Sequence, residues 1–239
     1  MAVQRALPTR TADGTTVVLP TRTGPYNEAY AINLGAGLTT YADEGSYFHV
    51  SNATVGTGIA GHAAPVVADT DTKALLALFN PGPKNVILDY LFLEVTAAGT
   101  GGTIHYTVIY VDNKGSNANT SGGTAATPVN ANSGSSGSSL STVVFGPAVM
   151  AMTSSRRVGG PQLVREVIPV VQDTILMKFG GPNGGARAGL TTAGTATCHV
   201  VQHFAPVVIG PGGNLNISQI RASQSAAASY EYSFGFIER

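Results

Sequence analysis

The sequence predicts an all-β chain: an antiparallel sandwich of jelly-roll type with an extended N-terminal arm. Three observations predict it. Most apolar runs after residue 45 are shorter than the roughly 10 to 12 residues of an ordinary helix. Turn-forming clusters of Gly, Pro, Asn and Asp separate those runs. Two stretches alternate with the period of two that puts every second side chain on one face of a strand.

Taken in order, residues 1–44 are broken repeatedly by Thr, Gly and Pro, and read as an extended arm. Its basic residues Arg5, Arg10 and Arg22 and its aromatic residues Tyr26 and Tyr30 are the candidate interface residues. Residues 45–239 are expected to be one sandwich domain, since all-β units often reach such lengths undivided. Strands are expected at 75–79, 86–95, 103–111, 143–152, 163–171, 174–179, 195–204, 207–209, 215–220 and from 230 onward. The clearest is 103–111, where Ile104, Tyr106, Val108 and Tyr110 share a face. At the C-terminus Tyr230, Tyr232, Phe234 and Phe236 form an aromatic stripe, with Glu231, Ser233, Gly235 and Ile237 opposite. Turns are expected at 80–85, 172–173 and 210–213, each read as a hairpin. The short helix candidates, 28–34 and 223–228, are too brief to bridge parallel strands. Strands without a helical layer must bury their apolar faces sheet against sheet. The longest irregular stretch, 115–141, is a Gly/Ser-rich loop that is too polar to build a core of its own. Loops of that length are usually either functional or disordered.

Composition narrows the function. Thirty glycines and 13 prolines make up about 18% of the chain, below the level of about 25 to 30% that marks disorder. Charged residues are 11%, against about 25% in ordinary domains, and 13 basic residues cancel 13 acidic ones. That balance removes the attraction a nucleic-acid or anionic-membrane binder carries, so neither is an expected partner. A single cysteine, Cys198, forms no internal disulfide. No apolar run near the N-terminus has the length of a secretion signal, so export is not expected.

No constellation nominates chemistry. His199 and His203 share a face of an expected strand, but four residues at about 3.3 Å place them about 13 Å apart, too far for one zinc ion. Cys198 falls on the other face and reads as a small buried thiol. Asp69 and Asp71 lack the rest of a calcium loop and read as turn or capping residues. His49, His62 and His105 are scattered, with no serine elbow to serve. A triad assembled from distant residues stays open. Asn52, Asn119 and Asn216 begin glycosylation triplets that have no expected modification without export. No cofactor, metal or catalytic residue is expected. A carbohydrate-binding module remains an alternative, with tyrosine alone left for the stacking role, since the chain has no tryptophan.

Several stretches carry a resemblance. They are Glu44-Gly45-Ser46-Tyr47-Phe48 with Asn52-Ala53-Thr54-Val55-Gly56-Thr57-Gly58; Phe79-Asn80-Pro81 followed by Lys84-Asn85-Val86-Ile87-Leu88; Val207-Val208-Ile209-Gly210-Pro211-Gly212-Gly213; and Ser223-Gln224-Ser225-Ala226-Ala227, leading to Tyr230-Glu231-Tyr232 and Glu238-Arg239. In pattern and order the chain resembles virion structural proteins of tailed bacteriophages. The resemblance implies a jelly-roll subunit that decorates or cements the capsid, binding the major capsid protein and neighbouring copies of itself. Such a protein is made in the bacterial cytoplasm and resides on the capsid surface. A tail or fibre component that contacts the host is the alternative within the same family. The resemblance brings no catalytic residue.

Overall fold

The computed structural model describes residues 8–10, 16–18, 38–62, 70–165, 169–181, 184–188 and 197–239. The chain divides into two units, 1–37 and 38–239. In the first, β1 (Pro8–Arg10) and β2 (Thr16–Val18) pair as an antiparallel hairpin. The second opens with a helix, α1 (Leu38–Asp43), and continues with β3 (Tyr47–Ser51), β4 (Ile59–Ala60), β5 (Lys73–Phe79), β6 (Val86–Ala97) and β7 (Thr100–Asp112). There follow β8 (Asn119–Ser121), β9 (Thr124–Ala126), β10 (Val129–Asn130), β11 (Thr142–Met150) and β12 (Arg156–Arg165). The last strands are β13 (Thr174–Phe179), β14 (Gly184–Ala188), β15 (His199–Phe204), β16 (Val208–Ile209), β17 (Asn214–Ala226) and β18 (Ser229–Glu238).

Two sheets pack face to face, as the all-β sandwich expectation requires. One has nine strands with the main order β10-β3-β18-β6-β13-β15-β14, and the other has seven with the order β12-β7-β17-β5-β11-β8. The aromatic stripe explains their union. Tyr230, Tyr232, Phe234 and Phe236 point inward from β18 and are all buried. Phe145 of the opposite sheet stacks on Tyr232 at 3.9 Å between ring centroids, and Phe236 lies 5.8 Å from Phe48. Leu76, Leu78, Ile109, Leu215 and Ile217 are among the seven-stranded sheet's other contributions to this core. Each such side chain contributes about 1.5 to 3 kcal/mol by leaving water.

The turns fall where turn chemistry predicts them, but they are corners between sheets rather than hairpins within one. The chain passes from β5 in one sheet to β6 in the other across 80–85, from β12 to β13 through 172–173, and from β16 to β17 through 210–213. The chain therefore crosses between layers at each of these corners, and β17 inserts between β5 and β7. Late strands lodged between early ones are the Greek-key device from which jelly rolls are built. Two corners are tied together by Asn80. Its side-chain amide donates to Lys84 O at 2.8 Å and Ile209 O at 2.9 Å, while its Oδ1 accepts from Gly82 N. One pair departs from the antiparallel expectation: β13 and β15 run parallel.

Three local expectations are corrected. Residues 223–228 form no helix, because the β7 ladder claims them: Gln224 pairs with Gly101 and Ala226 with Thr100. Strand β12 starts at Arg156 rather than 163, and its described extent ends at Arg165. Its first half, Arg156-Arg157-Val158-Gly159-Gly160-Pro161, has no alternation, yet β7 supplies its pairing through several register shifts. Gly160 permits this with φ +82, where an added Cβ would lie 2.3 Å from Thr107 O, so only glycine fits the bulge. Finally, Leu38–Asp43 is helical within the stretch expected to be extended. The other helix candidate, 28–34, lies outside the described residues.

The Gly/Ser tract 115–141 is ordered over the described sandwich. Asn214, Asn216 and Ser218 of β17 face away from the main core, yet all are buried. Asn214 accepts a hydrogen bond from Ala118 N at 2.8 Å and donates to Ser116 O at 3.0 Å. Asn216 donates to Asp71 O at 2.7 Å. Asp112 of β7 accepts from Thr153 N at 2.8 Å and Ser154 N at 3.0 Å. A second small core of Ala74, Ala77, Ala118, Val144, Ala148 and Met150 lies on this side. The tract thus covers the outer face of the seven-stranded sheet. Strand β10 then joins the edge of the other sheet beside β3, and Ser141 donates to Glu238 at 2.7 Å.

Candidate functional site

The outer face of the nine-stranded sheet is different. Strands β3 and β13 alternate between buried and more exposed positions, and β6 and β18 do so along most of their length. The outward residues form a half-exposed polar and aromatic surface. At its β3 end, Tyr47, His49, Asp89, Tyr90 and Ser233 form one cluster. Ser233 Oγ lies 2.8 Å from His49 Nε2 and 2.8 Å from Tyr90 Oη. Tyr47 Oη donates to Asp89 Oδ2 at 2.7 Å.

Pairing produces this cluster. Gly235 of β18 sits opposite His49 on one side and Tyr90 on the other, and Ser233 lies two residues along the same face. A Cβ at Gly235 would lie 2.3 Å from Tyr47 Oη and 2.5 Å from Tyr90 Cε1. The absent side chain lets both tyrosines close over the strand, a cross-strand use of glycine beneath aromatic rings.

Burial sets the electrostatics. Desolvation raises the Tyr47 hydroxyl well above its ordinary value, with further rises from the hydrogen bond and negative charge of Asp89 and from Tyr90. Tyr47 therefore stays a donor at neutral pH. Burial lowers His49, which favours a neutral imidazole beside Ser233. A serine hydroxyl against a neutral imidazole is the first half of a nucleophile and general-base arrangement. The cluster's carboxylate, however, bonds Tyr47 and not His49, so the pair lacks the acid that orients the imidazole in a triad. The same donors, acceptors and rings suit recognition of a hydroxyl-rich ligand or a polar protein surface.

The histidines singled out in the sequence fall as follows. His199 and His203 do share the outward face of β15, with Val200, Gln202 and Phe204 inward. His199 Nδ1 is 2.7 Å from Thr174 Oγ1. Cys198 is buried, and its backbone N donates to Asp173 Oδ1 at 2.6 Å. His62 is half-buried, with Nε2 3.0 Å from both Ala74 O and Ala148 O, where β5 and β11 change register. Desolvation lowers its pKa, aided by Lys73 and opposed by the two carbonyls. The side chain of His105 lies outside the described residues.

The remaining candidates have structural roles or fall outside the described residues. Thr70 Oγ1 accepts from Thr72 N at 3.2 Å, and Asp71 accepts from Ser155 Oγ, so this stretch turns the chain. Asp69 lies outside the described residues. Asn52 donates to Thr57 O at 3.0 Å and accepts from Tyr232 N at 2.7 Å, fastening its loop to β18. Asn216 is fully buried, and Asn119 N bonds Asn117 Oδ1 at 2.9 Å. Arg5, Arg22, Tyr26 and Tyr30 lie outside the described residues. Arg10 is placed in β1 by its backbone alone. Tyr47, Asp89, Tyr90 and Ser233 were not singled out by sequence, although the face opposite the aromatic stripe already held Ser233 and Gly235.

Among the described residues, no group of three or more His, Cys, Asp or Glu is placed to share a metal ion. No family model, curated protein or solved structure matches the chain. The class of protein that fold and surface define is an all-β sandwich with one outer face covered by its own chain and the other presented.

Proposed function

We propose that this protein is a non-enzymatic structural subunit of a bacteriophage particle that decorates or cements the capsid by binding the major capsid protein and copies of itself. The observation that carries this reading is the broad, half-exposed outer face of the nine-stranded sheet in a chain of low charge density. Surfaces with few charges meet with little desolvation penalty, which is what seam-covering requires. The resemblance to virion proteins supports the reading. Several of its stretches have defined structural roles: Asn80 and Gly212 tie two corners, Asn52 fastens a loop, and Arg239 pairs with Asn85 through both backbone groups at 2.8 and 2.9 Å.

An electron-microscopy map of the intact particle tests it. Density for this chain over the capsid faces supports decoration. Density confined to the tail replaces it with the host-contacting reading.

The cluster over Gly235 favours a second reading, a carbohydrate-binding sandwich. Tyr47 and Tyr90 supply rings, while Asp89, His49 and Ser233 supply polar groups. A glycan array separates the two: glycan binding lost in Tyr90→Ala supports this reading, and a blank array with clear binding to empty shells removes it.

A further inference from the structure

We infer that the outer face of the nine-stranded sheet is a self-complementary docking surface for a second copy of this chain, related by a two-fold axis running along the strands between β6 and β13. The register shows why. Across β18, β6, β13 and β15, backbone pairing aligns three outward rows. The first is Glu231, Glu94, Thr174 and His199; the second is Ser233, Phe92, Leu176 and Val201; the third is Gly235, Tyr90, Lys178 and His203.

The middle row is apolar over β6, β13 and β15. Phe92, Leu176 and Val201 stay partly exposed and belong to neither buried core. Charge is arranged unevenly around them. Glu231 and Glu94 face each other directly on neighbouring strands, a like-charge pairing that is unfavourable in one copy, although Glu231 Oε1 accepts from Gly56 N. Cationic Lys178 lies on the far side of the apolar row, and exposed His199 ends the acidic row.

A two-fold axis between β6 and β13 exchanges the strands in pairs, β6 with β13 and β18 with β15. Phe92 then meets the partner's Leu176, and Tyr90 meets the partner's Lys178, a ring and a cation. Glu231 meets the partner's His199. Each contact occurs twice, as an isologous interface requires. Among the outward residues of these rows, no like-charged pair is opposed. The six adjacent strands from β3 to β14, at about 4.8 Å each, span about 29 Å, and six residues of strand span about 20 Å. The footprint of about 600 Å² per partner is at the low end for a specific interface, which implies reversible dimerisation.

The inference deepens the self-association part of the proposed function but is tested on the purified full chain alone, so shell binding and dimerisation fail separately. Sedimentation velocity over a concentration series is expected to show a monomer–dimer equilibrium. Leu176→Glu places an unpaired carboxylate against the partner's Phe92 and is expected to raise the dimer Kd about 30-fold or more. Val158→Glu, on the opposite sheet, is the control and leaves Kd unchanged. His199→Glu opposes the partner's Glu231 and weakens the dimer, and adding Glu231→Lys restores it. A chain that is monomeric throughout overturns the inference. So does a Leu176→Glu chain that dimerises normally, or a charge exchange that fails to rescue while thermal melts show folded protein.

Discussion

The two outer faces of the sandwich solve opposite problems. Over the seven-stranded sheet, Asp112, Asn214, Asn216 and Ser218 are buried and satisfied by backbone groups of the chain itself. Over the nine-stranded sheet, Tyr90, Phe92, Leu176 and His203 remain partly open. A buried polar group stabilises a fold only when its partner is held in place, whereas an open apolar row gains nothing until something covers it. The first face therefore belongs to stability, and the second is the face we propose for association.

Variants separate these roles. The largest expected effect is at Asp112. Asp112→Ala orphans the N–H groups of Thr153 and Ser154 and should cost about 3 kcal/mol in chemical denaturation. Asn216→Ala, which removes the hydrogen bond to Asp71 O, should cost about 2 kcal/mol in the same measurement. Acidification probes His49 on the nine-stranded sheet and His62, which bonds backbone carbonyls of the seven-stranded one. His62 and His49 are both harder to protonate when folded than their ordinary value of 6.5 implies. Their stability contribution is therefore complete above that value and is lost as pH falls below it. Melting curves should shift to lower temperature on acidification, and the His62→Gln, His49→Gln double variant should shift less. The smallest effect is expected on the open face. Leu176→Ser should change stability by no more than about 0.5 kcal/mol while weakening self-association. A large loss of stability there would erase the distinction between the faces.

Much of the sandwich could be read in advance because burial imposes its own period. The stripe from Tyr230 to Phe236 and the run at 174–179 became β18 and β13, the latter with its expected limits. Arg156-Arg157-Val158-Gly159-Gly160-Pro161 was illegible as a strand, since its pairing comes from β7 and not from its own alternation. The corners were visible as turns, but a turn's composition does not say which sheet the next strand joins. The cluster of Tyr47, His49, Asp89, Tyr90 and Ser233 draws on β3, β6 and β18, with His49 and Ser233 alone 184 residues apart in the chain. Such a cluster exists only through register, which no local pattern carries. Ser116 and Ala118 held another surprise: a tract too polar for a core can still roof one when its backbone answers buried asparagines.

The insertion of β17 between β5 and β7 has a consequence for how the molecule comes into being. Neither layer can be completed from residues 38–112 alone, because the seven-stranded sheet waits for β17 between β5 and β7 and the nine-stranded sheet for β18 between β3 and β6. A chain emerging from the ribosome must hold unsatisfied strand edges on β5, β7, β3 and β6 until residues 214–238 follow, and loop closure over such separations is slow. Folding of the sandwich should consequently be abrupt, with β17 and β18 acting as the keystone.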